Sequence, residues 1–210
     1  MGANEYLINS AASGPFPVAS EHQVQFFGRD SELADSVCEF LRPGFEPASA
    51  CVVIATSAHR AMIAARLEKQ GFNITLARKR GQFISFDAAA VLRMASVDGQ
   101  VSAWHFCEVV GGIIARAQFN CTHVRVFGEM GAVLWADGKA REALDVETWW
   151  TRLCASYSMS LYCAYPNRLY RNPGNHEQLD AVCGLHSHIL RSREDVATGG
   201  YRVADLVQQP

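Results

Sequence analysis

The stretch Thr122-His-Val-Arg-Val-Phe-Gly-Glu-Met130, continuing through Val133-Leu-Trp135 to Gly138, decides how the chain is read. Val124, Val126 and Leu134 bracket a glycine and an acid, the pattern of a buried strand that delivers Glu129 to its carboxyl end. In an open α/β sheet that end is where ligands sit.

Upstream, His22-Gln-Val-Gln-Phe-Phe27 alternates as a first strand, and Asp30 is placed to cap a helix carrying Leu33, Val37, Phe40 and Leu41 on one face until Pro43-Gly44 ends it. Ala50-Cys-Val-Val-Ile-Ala55 is an uninterrupted apolar run, the signature of a strand covered on both faces. Thr56-Ser57 then caps a helix bearing Met62, Ile63 and Leu67, which Gly71 stops. Residues 73–76 and 82–86 read as two short strands around the basic turn Arg78-Lys-Arg-Gly81, too few cations for a nucleic-acid footprint. Asp87 is expected to cap a helix at 88–94, and a longer helix at 102–118 is expected to bury Trp104, Val109, Ile113 and Ile114.

Downstream, residues 139–157 form the clearest helix, with Ala143, Leu144, Trp150, Leu153 and Cys154 recurring at helical spacing and Arg141, Glu142, Glu147 and Arg152 taken as its polar side. Ser160-Leu-Tyr-Cys-Ala-Tyr165 is a further buried strand halted by Pro166, and 176–190 reads as a last helix. Strands alternating with helices specify an α/β fold: three layers, α-β-α, with a mostly parallel central sheet. Residues 1–20 and 191–210, small or polar and rich in Gly, Ser and Pro, are expected to be a flexible leader and a flexible tail around a domain at 21–190.

The 210 residues, 49% of them hydrophobic and 19% charged, suffice for one sizeable core. A net charge of −2 supplies no field for nucleic acid or an anionic membrane, so neither is an expected partner. No apolar run reaches the roughly 18 residues of a membrane span, and the N-terminus lacks the pattern of a secretory signal. Seven cysteines, odd in number and scattered through apolar segments, fit reduced thiols and a cytoplasmic protein better than a disulfide framework.

The turn after the 50–55 run is where a parallel-sheet nucleotide enzyme keeps its phosphate loop, built from glycines whose N–H groups close on the anion and a lysine followed by Ser or Thr. Here it reads Ala55-Thr-Ser-Ala-His-Arg60, without glycine or lysine, so the phosphate loop is degenerate. Thr56, Ser57, His59 and Arg60 at a helix N-terminus can still hold a smaller anion or polar ligand; the plainer alternative makes Ser57 a helix cap and His59 a solvated residue. Glu129 is either a site acid or the partner of a helix N-terminus or of Arg125. A pocket walled by Trp135 or Tyr165 and floored by Glu129 would suit a small molecule.

Cys163, Cys183 and His186 offer soft metal ligands, against the plainer reading of buried thiols beside a capping histidine; the sequence shows no CxxC pair. No catalytic residue is assigned and no cofactor is called for. Three readings stay open: a non-enzymatic sensor, a residual nucleotide or phosphate enzyme using His59, Arg60 and Glu129, and a thiol or metal redox sensor.

Taken in order, His22-x-Val-Gln-Phe-Phe27, Val52-Val-Ile-Ala-Thr56 with His59, Val124-Arg-Val-Phe-Gly-Glu-Met130 with Leu134-Trp135, Ala143-Leu144 with Glu147 and Trp150, Leu161-Tyr-Cys-Ala-Tyr-Pro166 and Cys183-x-x-His186 resemble the MEDS, or DcmR-like sensory, domain. The resemblance implies a RecA- or KaiC-like core whose phosphate loop has been lost, acting in signalling or transcription regulation and sensing small organic ligands. It maps recurring positions of the family onto His22, Phe27, His59, Gly128, Glu129, Trp135, Cys163, Tyr165, Cys183 and His186. Family members are often fused to a DNA-binding or histidine-kinase module; no such module fits outside 20–190 here, which implies a stand-alone adaptor with a signalling protein, a small organic ligand or a second copy of the chain as partners.

Overall fold

The computed structural model describes residues 21–169 and 172–190, and the expectations for the leader and the tail fall outside them. Six strands make the central sheet: β1 (His22–Phe27), β2 (Ser49–Ala55), β3 (Phe83–Asp87), β6 (His123–Gly128), β7 (Met159–Pro166) and β8 (His188–Leu190), in spatial order β3-β2-β6-β7-β1-β8 and parallel at every pairing. β4 (Ser96–Val97) and β5 (Gln100–Val101) form a separate antiparallel hairpin whose turn places Asp98 and Gly99 at positive φ. The sheet is covered on both faces, as the continuous apolar runs of β2 and β7 require.

On one face lie α1 (Asp30–Leu41), α2 (Ser57–Lys69) and α3 (Ile74–Lys79), burying Leu33, Val37, Leu41, Ile63, Leu67 and Ile74 against Val53, Phe127 and Tyr162. On the other lie α4 (Ala88–Met94), α5 (Ala103–Gln118), α6 (Met130–Ala136), α7 (Ala140–Ser156) and α8 (His176–Gly184), packed around Phe106, Trp135, Trp150, Leu161 and Tyr165. This is the three-layer α/β architecture, with two cores separated by one sheet.

Chain order produces a switch point. From β2 the chain moves outward to β3, whereas from β6 it moves the other way to β7, although β2 and β6 are neighbours. The connections therefore diverge at the carboxyl ends of β2 and β6, leaving the crevice at which open α/β sheets bind ligands. Thr56 and Glu129 stand directly at those two ends.

Several local expectations are corrected. Residues 74–79 are helical, because Ile74 and Ala77 point inward three residues apart while Leu76 is 40% exposed, and the Asn73 side chain caps the Leu76 N–H. The basic run therefore closes a helix, with Arg78 over the Phe83 ring. Asp30 begins α1 but does not cap it; Arg29 is the N-cap and the Asp30 carboxylate turns to His59. Trp104, at the first turn of α5, is 66% exposed, and the buried stripe runs through Phe106, Val110, Gly111, Ile114 and Ala117. The last helix stops at Gly184, after which Ser187 bonds the His22 carbonyl through both its N–H and its hydroxyl and directs the chain into β8. Glu147 is the largest departure: placed on the polar side of α7, it is 1% exposed.

Candidate functional site

The N-terminus of α2 presents N–H groups with no partner inside the helix, an arrangement that attracts an anion. That anion is supplied from within the chain. Glu129 follows β6, its N–H bonded to the Ile54 carbonyl, and its carboxylate reaches across the β2–β6 crevice. Oε2 accepts from the Thr56 N–H at 2.9 Å and from the Thr56 hydroxyl at 3.3 Å, while Oε1 accepts from His59 Nδ1. The Thr56 hydroxyl in turn accepts from the His59 N–H, capping α2.

The His59 ring is thus held between two acids, with Nε2 3.5 Å from Asp30 Oδ1. The hydrogen bond to Glu129 holds the imidazole pKa above its ordinary value; burial works against this, and the Glu129 and Asp30 charges add to it. Through His59 the ends of β1, β2 and β6 are tied together, and Phe27 lies edge-on to its ring at 5.9 Å. Arg60 pairs with Asp87 at 3.4 Å, and Asp87 also caps α4 through the Ala90 N–H. Arg125, the other partner considered for Glu129, instead donates to the Phe40 carbonyl and lies over the Phe40 ring.

The residues singled out from sequence fall into separate groups. Thr56, His59 and Glu129 meet; Ser57 is exposed beside them and Arg60 is half-buried toward β3. Trp135 and Tyr165 meet each other on the opposite face, edge-on at 5.9 Å, and both are buried. A groove of about 400 Å³ opens between α4, the β4–β5 hairpin and α6, lined among others by Leu92, Arg93, Val101, Leu134, Asp137 and Lys139; none of the seven residues lines it.

A second constellation lies on that same opposite face. His22, Glu147, Cys163 and His186 converge so that one donor atom from each lies within 4.8 Å of all the others. Cys163 and His186 were among the metal candidates; Cys183 is buried but outside this group of four, and His186 sits past the end of α8 rather than on its face. Glu147 Oε1 accepts from the Tyr165 hydroxyl at 2.5 Å, leaving Oε2 toward Cys163, His22 and His186. Gly131 makes this close approach feasible: a Cβ there would stand 2.0 Å from the Tyr165 oxygen and 2.7 Å from Glu147 Oε1.

Burial alone pushes the Glu147 carboxyl up, but the His186 and His22 imidazoles facing it outweigh this and hold the group well below the ordinary carboxylate range. Burial lowers His22 despite its bond to Glu147, and burial beside the Glu147 charge raises the Cys163 thiol and the Tyr165 phenol well above their usual values. Sequence reading missed Glu147 because α7 was sorted into charged and apolar sides. The signal was its spacing, since Ala143, Glu147, Trp150 and Cys154 lie on one stripe at helical intervals.

The family model described as MEDS, MEthanogen/methylotroph, DcmR Sensory domain, matches residues 21–187. No curated protein gives a significant match. Among solved structures, a KaiC-like protein from the hyperthermophilic archaeon Pyrococcus horikoshii OT3 is similar at 11% identity with a TM-score of 0.51, over 81% of this chain and 72% of that one. At that identity the likeness is one of fold alone. Among the described residues no helix is long and apolar enough to cross a membrane.

Proposed function

The chain belongs to the MEDS sensory-domain family, and on that premise we propose that it is a cytosolic, non-catalytic receiver whose input is a small organic ligand or a partner protein meeting the carboxyl edge of the sheet. The carrying observation is the Glu129 carboxylate seated on the N-terminus of α2. In a sheet of this topology that position is where a phosphate would be gripped. Here the grip holds a side chain of the protein itself, and the acid that could serve as a base or metal ligand is engaged in three hydrogen bonds. A residual nucleotide enzyme would have to break this lock before each turnover.

The same lock makes a receiver. His59 and Glu129 join helices on opposite faces, α2 and α6, across the crevice, and Ser57 and Arg60 flank it where an incoming group arrives. A polar ligand or partner side chain that competes for Thr56, His59 or Arg60 would loosen α6, whose Trp135 meets Tyr165 edge-on, and so alter the surface offered to a signalling protein.

The test is a thermal-shift screen of small alcohols, ketones, carboxylates and halogenated hydrocarbons, followed by hydrogen exchange with any ligand found. The reading requires a saturable shift that is lost in Arg60→Ala and His59→Gln, with exchange altered at residues 56–60 and 129–136. A ligand that binds equally well to both variants, leaving those segments unchanged, would overturn the placement of the input.

A further inference from the structure

We infer that His22, Glu147, Cys163 and His186 form a binding site for one divalent metal ion, with Zn²⁺ the best match. The four residues come from β1, α7, β7 and the turn after α8, so the fold rather than a local loop assembles them.

Hydrogen-bond partners fix where the lone pairs point. His186 Nδ1 lies 2.7 Å from the Val182 carbonyl, which can only accept, so Nδ1 carries a proton. The Thr151 hydroxyl donates to the Glu147 carbonyl at 3.1 Å and therefore accepts from His22 Nδ1 at 3.2 Å. Both imidazoles thus have their outer nitrogen anchored and turn Nε2 inward, the orientation in which a histidine is held by outer-shell partners when it ligates a metal. His186 Nε2 is buried without a hydrogen-bond partner, its side chain fully excluded from solvent, and it faces Glu147 Oε2 at 3.5 Å. Two imidazole nitrogens, a carboxylate oxygen and a sulfur converge on one dry point, where a single cation would engage all four once the Cys163 thiol gives up its proton.

Four of the six separations match zinc, and the other two lie within 4.8 Å. Cys163 Sγ is 3.3 Å from Glu147 Oε2 and 3.5 Å from His22 Nε2, and Glu147 Oε2 is 3.4 Å from His22 Nε2. With the 3.5 Å separation to His186, four of the six edges are known, and all exceed the roughly 2.7–3.2 Å of a good N–H···O bond. Zinc bonds of about 2.0–2.1 Å to nitrogen or oxygen and about 2.3 Å to sulfur give tetrahedral edges of roughly 3.3–3.6 Å. Three hard or borderline donors and one thiolate, four-coordinate and closed to water, describe a structural zinc site better than a catalytic one. A bare proton shared between His186 and Glu147 is the competing arrangement, and it predicts no metal uptake.

Metal at this point would pin β1, β7 and α7 to the segment that leads into β8. Its presence would then govern how firmly residues 186–190 dock on the sheet, an input separate from the carboxyl edge and standing whether or not that reading does.

The full chain, without a polyhistidine tag and kept reduced, is analysed for metal as purified, then stripped and reloaded with Zn²⁺ or Co²⁺, both natively and during refolding. The expected result is one ion per chain, Co²⁺ showing the intense visible bands of four-coordination and a near-ultraviolet thiolate charge-transfer band. Cys163→Ser removes the charge-transfer band, Cys183→Ala keeps it, and Thr151→Val, which frees His22 Nδ1 and drops the hydroxyl's bond to the Glu147 carbonyl, weakens Zn²⁺ about 10-fold. Metal removal raises hydrogen exchange at 186–190. Should the variants fail to fold, X-ray absorption on the loaded wild type must show one sulfur and three nitrogen or oxygen ligands. No saturable uptake by either route, a sulfur-free ligand shell, or a thiolate band that survives Cys163→Ser overturns the site.

Discussion

Replacing Glu129 by glutamine tests the crevice lock with the smallest change of shape. In the native chain the carboxylate accepts from the Thr56 N–H, the Thr56 hydroxyl and His59 Nδ1 while 3% exposed. Glutamine keeps one acceptor oxygen for Thr56, and its amide can donate to a His59 that has shifted its proton to Nε2, beside Asp30. What disappears is the charge on the acceptor, and hydrogen bonds to charged groups contribute roughly 1.5–3 kcal/mol each against about 1 for neutral ones. The variant should therefore lose about 2 kcal/mol, or ~4–8 °C in Tm for a chain of this size.

The pH dependence carries the sharper information. His59 has a folded-state pKa raised above 6.5, chiefly by its bond to Glu129. The stability it contributes is fully present below 6.5 and is lost as pH rises through the raised value. His22 and His123, both lowered by burial, push in the opposite direction, but they do so in both proteins and cancel in the difference. Urea denaturation of wild type and Glu129→Gln at about pH 6 and about pH 9 should show the gap largest at the lower pH and reduced at the higher. A gap that is absent, or equal at the two values, would refute the lock as described.

Other outcomes follow from the packing. Gly131→Ala should cost about 1–3 kcal/mol in urea denaturation, because its Cβ meets the Tyr165 hydroxyl; Tyr165→Phe in the same chain should recover part of that loss, and strict additivity would count against the contact. Asn73→Ala removes the cap of α3 and should cost about 1 kcal/mol, whereas Asp30→Ala, which uncaps nothing, should cost about half of that or less. A disulfide exchange reagent should modify Cys107 first among the seven cysteines, since Cys38, Cys51, Cys154, Cys163 and Cys183 are buried and burial pushes the Cys38 thiol up to about 11; rapid labelling of several thiols would contradict the burial.

The layers were legible because β2 and β7 are so apolar that only a sheet covered on both faces accommodates them, and because Glu129 follows a strand directly. Short segments were not. Ile74-Thr-Leu76 satisfies a strand pattern over three residues, and only the Asn73 cap and the outward Leu76 reveal a helix. Of the crevice, the missing glycines and lysine were visible in Ala55-Thr-Ser-Ala-His-Arg60, and one alternative considered for Glu129 was pairing with a helix N-terminus, as observed. The buried cluster was legible only in part. Cys163 and His186 stood out by residue type, whereas Glu147 lies in a helix with two other acids and His22 in a strand far from both, so nothing short of the fold brings them together.

Calorimetric titration of ATP and GTP with Mg²⁺ into the purified chain, with released phosphate followed in parallel, tests the central claim most directly. With Glu129 occupying the N-terminus of α2, the account predicts no saturable heat and no hydrolysis. Stoichiometric nucleotide binding with turnover that Arg60→Ala abolishes would contradict it.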